Sequence, residues 1–481
     1  MLSKLPSRIY RIPAVILIIV CHLYILTNTG FLDWPEMLVY PWLIDKGFAP
    51  YRDMLVMYPP LGLYFLTFIF RILGYTPEAL RIVAYSIVVL TDVLVYVVAA
   101  GIWRRKPVIP VVILGFYAAW HPVYEGNTLW FEHLSLPFLL VSFWAMISFL
   151  RARKRQFIVL AGLFLAVSLQ IKQTNLWPFM ATMLFLLIVG GRDMRQRIRS
   201  LALFVAPVLI ISGCMLVYMD AKSLAADYLY WVYFYPWSTA VRINSYVVQP
   251  SLGQALRVIP PYLFVLLALL GIDDPTNNKK GRQAMVLSAA LALVLVFAAW
   301  PRWAVFKQLP SLPFAALASG FAFVRFRDYL SPRRFGVLTV IITFLTLTAS
   351  VRSLYRFYTK QAYGMQDFMG NDVRNGFAGV SRLTGGSDVY IYGRYDFGYL
   401  LLNHLPPVRP WTQHFPWMLS RPGLTTLLSA EIDKAEVPYV IMDTVVEDNE
   451  LTRYISDRYL IEKPVLQDAW LMRRKPDGMV Q

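Results

Sequence analysis

Three of the four acids in the stretch from Gly30 to Leu61, directly after the first long apolar segment, are candidates for chemistry. They are Asp33, Glu36 and Asp53, set among Pro35, Pro50, Pro59, Pro60 and several aromatic residues. A plain connection between two membrane helices does not need that composition. Carboxylates held at a membrane surface by prolines and aromatic rings look like a site. Just past a helix end, Asp33 stays hydrated and ionised, and a carboxylate there can accept a proton from a hydroxyl as a general base. Glu36 lies one turn on, so the two acids share a face if a helix starts at Pro35. The same residues also fit an N-capping Asp followed by a first-turn Glu. Asp53 is better explained by an Asx turn or a pairing with Arg52.

A second acidic stretch ends in Trp130, Phe131, Glu132 and His133, with Glu125 before it. Acid and imidazole side by side can hold a divalent cation or orient an acceptor, although one Glu-His dipeptide also fits a helix cap or a surface pair. Lys172 is a sharper signal. Together with Gln170, Gln173 and Asn175 it interrupts an apolar stretch running from Phe157 to Val189, long enough for two short helices meeting at this break. An intramembrane lysine is costly and is a functional candidate by default, and a cation there suits a phosphate. Snorkelling to the interface would account for the charge but not for the amides. Arg302 and Lys307 lie among aromatics between two apolar segments, and Arg242 follows the aromatic run from Tyr228 to Trp237. Arg clamps phosphate oxygens through its planar fork, and aromatic faces stack on sugars, although such a run is also what an interfacial belt looks like. Asp92, in the middle of an apolar helix, reads as a buried residue, paired or protonated, with no catalytic role.

The elements that must carry these residues are membrane helices. The chain has 481 residues, 57% of them hydrophobic and 16% charged, against roughly 25% charged in an ordinary soluble domain. Apolar runs that can cross a hydrocarbon layer of about 30 Å recur from residue 12 to residue 351. The net charge of +17 reads as the cytoplasmic excess of Lys and Arg that sets orientation, and no basic face suggests nucleic acid. Cys21 and Cys214 lie in apolar helices and read as packing residues, not as a disulfide or metal pair. Lys4, Arg8 and Arg11 before a long apolar run without a cleavage signal predict an uncleaved signal anchor.

Basic clusters at Arg104 to Lys106, Arg151 to Arg155, Arg192 to Arg199, Lys279 to Arg282 and Arg325 to Arg334 punctuate the chain. They all fall on the cytoplasmic side if the short run Leu61 to Leu73, following Pro59 and Pro60, does not cross the membrane. The expectation is then a polytopic α-helical membrane protein with about eleven crossings, the N-terminus inside and the C-terminus outside. Residues 1–351 form the membrane domain, with the acidic first outer loop at 30–60. Residues 352–481 are more polar and contain two strand-like runs, Asp388 to Gly393 and Val437 to Met442, with a helix between them at Leu424 to Ala435. These predict a small extracytoplasmic α/β domain. No internal repeat is visible.

At this point the chain resembles GT-C-type glycosyltransferases, the polytopic enzymes that use polyprenyl-phosphate sugars. Within them it is most similar to the bacterial branch related to protein O-mannosyltransferases and the lipid A aminoarabinose transferase. The resemblance runs from the acidic start at Asp33, through Pro50, Tyr51 and Asp53 and then Pro59, Pro60 and Leu61, to Glu132, Lys172-Gln173-Thr174 and the Arg302 loop. It ends at Tyr390 to Gly393 and Tyr399 to Leu402. Two positions depart from the pattern: Trp34 and Pro35 split the usual acidic pair, and Lys307 stands where the family often has His.

The resemblance implies a glycosyltransferase of the cell membrane that moves a sugar, hexosyl or pentosyl, from a polyprenyl-phosphate donor to an acceptor hydroxyl on the outer face, with inversion. It implies Asp33 as base, with Glu36 beside it. Lys172, Arg302, Lys307 and Arg242 would bind the donor phosphate, and Asp53, Glu132 and His133 would be acceptor or metal candidates. The cofactor stays open, a divalent metal ion being the candidate. The partners expected are the lipid-linked donor, a glycan, lipid or protein acceptor, and membrane lipid. A transporter or flippase for a lipid-linked sugar is the competing reading. It shares the cations and the broken helix, but the missing repeat, the few intramembrane charges and the outer domain weigh against it.

Overall fold

The computed structural model describes residues 11–243, 246–270, 279–329, 368–444 and 448–476, with isolated positions between 331 and 348. Lys4 and Arg8, the boundary at 351/352 and the apolar segment leading to it lie outside the described residues. Numbered along the chain, the principal helices are α1 (Arg11–Thr27), α2 (Glu36–Asp45), α3 (Pro60–Leu73), α4 (Pro77–Ile102), α5 (Val108–Trp120), α6 (Phe131–Ala152), α7 (Arg155–Leu169), α8 (Leu176–Val189) and α9 (Met194–Ala221). They continue as α10 (Leu252–Val258), α11 (Pro260–Leu270), α12 (Lys279–Phe297), α13 (Leu312–Tyr329), α14 (Asn371–Thr384), α15 (Leu424–Lys434) and α16 (Glu450–Arg458). Strands β1 (Val389–Tyr392), β2 (Tyr439–Asp443), β3 (Tyr459–Leu466) and β4 (Ala469–Arg474) complete the set.

Among the described residues, five helices are long and apolar enough to cross a membrane, and six if α10 and α11, bent by 52°, make one span. Pro260 and Pro261 account for that bend, since proline cannot donate to the helical ladder. Five shorter apolar helices accompany them, including α3. The chain is a multi-pass helical membrane protein. Its residues divide into two compact units, one of 1–32, 81–216 and 248–364, the other of 33–80, 217–247 and 365–481.

The core of the first unit is built from large apolar residues of α4, α5, α6, α7, α12 and α13. α6 and α7 form a tight helical hairpin. The turn between them places Arg153 in the left-handed conformation that stops α6, and the Ser142 hydroxyl donates across to Ala161 O at 2.8 Å. α7 and α9 approach backbone to backbone at Gly162, where a Cβ atom would stand 2.1 Å from Phe204 O. The interruption at Gln170 to Asn175 is a real break. α7 ends at Leu169, a single 3-10 turn spans Gln173–Asn175, and α8 begins at Leu176. Asn175 satisfies the open end of α7, its Nδ2 donating to Ser168 O at 3.0 Å and to its Oγ at 2.7 Å, and Gln170 Nε2 donates across to Ser212 Oγ of α9 at 3.0 Å. Asp92 is paired, with Oδ2 2.9 Å from His22 Nδ1 on α1 and both side chains fully buried. Cys21 and Cys214 are exposed on their helices, a correction to their reading as packing residues.

The second unit contains α2, α3 and the sheet. The Thr67 hydroxyl of α3 donates to Pro41 O of α2 at 3.3 Å, and Arg71 pairs with Asp45 at 2.6 Å. The sheet order is β1-β2-β4-β3, with β1 and β2 parallel and the other pairs antiparallel. The parallel pair needs a crossover, and α15 lies in it, as the sequence between the two strand-like runs predicts. The β3–β4 hairpin was not expected from sequence. β3 carries Glu462, Lys463 and Pro464, is mostly exposed and slips register twice against β4, so it lacks the alternation that marks a strand.

Candidate active site

In the first unit, charged residues gather at the N-terminal end of α6. Glu132 occupies its first turn, and Lys172 is the residue at which the chain breaks between α7 and α8. Lys172 Nζ and Glu132 Oε1 are 2.9 Å apart, and both side chains are more than nine-tenths buried. Lys307 enters from a 3-10 helix, Phe306–Ser311, which packs against the start of α6 through the Trp130 and Phe306 rings, 6.1 Å apart. Its ammonium donates to Arg302 O at 3.0 Å and feels the charges of Lys172, Glu132 and Arg302. Arg302 itself is held in extended backbone by a bridge to Val248. Lys172 and Lys307 thus lie near the Glu132 carboxylate, and Arg302 lies near Lys307. Glu132 Oε2 has no hydrogen-bond partner among the described residues.

His133, next to Glu132, is buried, and neither ring nitrogen has a hydrogen-bond partner among the described residues. Among the described residues, no three His, Cys, Asp or Glu side chains are placed to share a metal ion. Glu132 and His133 therefore do not form part of a ready three-ligand set. Glu125 has a structural partner, Arg257, at 3.3 Å, and Arg257 also donates to Val123 O.

The second unit holds the acids of the first outer stretch. Asp33 is buried, a correction to the hydrated setting expected of it, and it precedes the N-cap position, which Pro35 occupies, so it does not cap α2. Glu36 opens α2 and is also buried; burial pushes its carboxyl up to about 7, against the smaller opposing effect of a backbone hydrogen bond. Tyr40, one turn on, donates to Gln413 Oε1 at 2.7 Å. Asp396, which sequence reading did not single out, is buried within reach of the Glu36 charge. Desolvation first and Glu36 second hold its carboxyl well above the ordinary carboxylate range. Asp396 sits in the turn between Gly393 and Gly398, some 360 positions from Glu36, and no local spacing could have linked them.

Asp53 accepts from Ala49 N at 2.9 Å and pairs with Arg52 at 3.2 Å and Arg409 at 3.6 Å. Burial alone would push its carboxyl up; those bonds and charges outweigh it and hold it below the usual range. Its surroundings are those of a structural clasp: Trp411 N donates to Asp53 O, and Leu55 N donates to Trp411 O. Arg242 ends a 3-10 turn at the surface.

The family of dolichyl-phosphate-mannose-protein mannosyltransferases matches residues 57–217, a third of the chain. No curated protein matches the sequence. In fold the chain is similar to ArnT from Cupriavidus metallidurans, solved bound to undecaprenyl phosphate. The TM-score is 0.65 at 12% identity, covering 99% of this chain and 100% of that one. It is also similar to the oligosaccharyltransferase AglB from Archaeoglobus fulgidus, solved with an inhibitory peptide and a dolichol-phosphate. There the TM-score is 0.60 at 11% identity, covering 98% of this chain and 77% of that one. The resemblance seen in the motifs thus extends to the fold of the whole chain, which is GT-C-like.

Proposed function

We propose that this protein is a membrane glycosyltransferase that moves a sugar from a polyprenyl-phosphate donor to an acceptor hydroxyl on the outer face of the membrane. The observation that carries this reading is the buried Lys172–Glu132 pair, with Lys307 and then Arg302 beside it. A lysine buried where two membrane helices meet, with a second lysine and then an arginine beside it, suits the phosphate of a lipid-linked sugar at the end of a membrane helix.

In the reaction, the carboxylate of Asp33 takes the proton of the acceptor hydroxyl. The oxygen attacks the anomeric carbon, and the bond from that carbon to the phosphate oxygen breaks on the opposite face, inverting the centre. The electron pair leaves with the lipid phosphate, whose growing charge meets cations already fixed by folding. Glu36, kept largely protonated below pH 7 by burial, is suited to donating a hydrogen bond to the acceptor. The retained topology has about eleven crossings, the N-terminus cytoplasmic and the sheet-containing C-terminal part outside. A reporter fused after Arg105 tests it and should read cytoplasmic.

The test of function is transfer or release of sugar from a panel of polyprenyl-phosphate sugars, hexosyl and pentosyl, by the purified protein in lipid nanodiscs. Turnover with one donor, lost in Asp33→Asn, supports the enzyme and identifies the sugar. No turnover with any donor, even with a mixed acceptor extract, sinks the reading in favour of transport.

A further inference from the structure

A cavity of about 380 Å³ opens where α4 and α6 end, in the first unit. Arg104 and Arg151 line it together with Val98, Gly101, Trp144 and Ser148, and among the described residues no acid lines it. Arg151 is pinned: its Nη2 donates to Ile102 O at 2.8 Å, and Lys280 donates to its carbonyl at 2.9 Å. Arg104 is close enough to repel it, and it has no ion-pair partner among the described residues. Gly101 keeps the wall open, since a Cβ atom there would meet nothing within 4 Å. The remaining wall is apolar, with Trp144 and Phe157 edge to face at 6.1 Å.

The position decides what belongs there. α6 carries Glu132 in its first turn and Arg151 in its last, about 28 Å apart at a rise of about 1.5 Å per residue. That is close to the thickness of the hydrocarbon layer. The cavity therefore lies at the opposite membrane surface from the Glu132–Lys172 pair, at headgroup depth. Two arginines line one cavity with no acid beside them among the described residues, and their planar forks match phosphate oxygens.

We propose that this cavity is a binding site for the phosphate of an anionic membrane lipid. Arg104 and Arg151 hold the phosphate, and Val98, Trp144 and Phe157 lie along the start of the acyl chain. A soluble phosphate ester shares the headgroup chemistry but gains nothing from the apolar wall. The site is separate from the proposed transfer reaction and does not depend on it.

The test is native mass spectrometry of the full-length protein in neutral detergent, titrated with phosphatidylglycerol, phosphatidylcholine or glycerol 3-phosphate. The expected result is one phosphatidylglycerol bound preferentially. Its affinity should fall about tenfold or more in Arg104→Gln/Arg151→Gln, the loss expected from removing charge-assisted hydrogen bonds. Gly101→Leu, which fills the cavity and keeps both charges, should lower it as much. Arg105→Gln, a neighbouring cation that does not line the cavity, should leave it unchanged. Arg104→Gln alone touches no packing and serves if the double variant does not fold. Equal loss in Arg105→Gln, or full binding in Gly101→Leu, would overturn the site in favour of diffuse surface charge. Equal affinity for glycerol 3-phosphate would overturn the lipid assignment.

Discussion

The Glu132 carboxylate and the Lys172 ammonium meet at 2.9 Å with almost no exposure to solvent, the acid in the first turn of α6 and the cation at the break between α7 and α8. The pair is not symmetric. Lys307 lies close enough to feel both charges, and Arg302 lies close to Lys307. Removing one partner of a buried pair costs about 3–5 kcal/mol, because the other charge is left uncompensated. Glu132→Gln leaves Lys172 facing Lys307, whereas Lys172→Met leaves the acid with Lys307. Glu132→Gln should therefore lower the unfolding temperature more than Lys172→Met. Undecaprenyl phosphate should restore more of that loss in Glu132→Gln than in the wild type, because Glu132 competes with a phosphate for Lys172. Equal unfolding temperatures and no difference in rescue would remove the cluster from the donor site.

Asp33 carries the base assignment. Its replacement by Asn keeps shape and removes the proton acceptor, so turnover should fall by about 10²–10⁴-fold, the usual contribution of general base catalysis. Melting temperature should stay near the wild-type value. Wild-type rates in single-turnover assays of Asp33→Asn would end this assignment.

Arg302 is predicted to act on the donor and not on the acceptor. Arg302→Ala should raise the KM for the polyprenyl-phosphate sugar by about tenfold, the loss of one charge-assisted hydrogen bond. The KM for the acceptor should not change. A variant with unaltered donor dependence would show that the bridge to Val248 is the whole role of this segment.

The membrane class, the break at Lys172, strands β1 and β2 and the helix between them were legible, because each rests on a local pattern: long apolar runs, an interrupted run, a short β-type run ending in a turn. The gathering of Lys172, Lys307 and Glu132 was legible only as three separate candidates, since more than 130 residues separate Lys172 from Lys307 in the chain. Asp396 was invisible for the same reason. Its significance comes from burial beside Glu36, and burial of a loop residue leaves no periodic trace. Asp53 was legible as a turn residue paired with Arg52, but Arg409, its second cation, comes from far along the chain.

Glu36 makes a pH dependence follow from burial. Its carboxyl is raised from 4.5 in the free residue to about 7 in the fold. A group raised on folding contributes stability that is fully present below its unfolded value and lost as pH rises through its folded value. The loss should run from about pH 4.5 to about pH 7 and approach 3 kcal/mol as an upper bound. Glu36→Gln cannot ionise, so its stability should be flatter over that window and exceed wild type above pH 7. Asp396, raised beside Glu36, adds a slope of the same sign in the variant, and the double variant Glu36→Gln/Asp396→Asn should remove that contribution as well. Chemical denaturation in detergent at pH 5, 6, 7 and 8 measures this. Parallel curves for wild type and Glu36→Gln would mean that Glu36 is hydrated and ionised in the folded protein.

The His22–Asp92 pair gives the opposite kind of prediction, stability without activity. Both side chains are wholly buried, and they tie α1 to α4 at 2.9 Å. The His22 ring lies edge-on to that of His121 at 4.7 Å, and His121 in turn fills the space where a side chain at Gly126 would stand. Asp92→Leu leaves the His22 nitrogen buried without its acceptor and should cost about 1–3 kcal/mol. His22→Phe should leave an unpaired carboxylate and cost more. Combining the two replaces the pair with apolar groups and should recover most of the loss, because no polar atom of the pair is then left unsatisfied. Turnover per folded molecule should be unchanged in all three, since neither residue belongs to the charged cluster at the head of α6. A loss of turnover in the stable double variant, measured against its folded fraction, would bring this pair into the reaction.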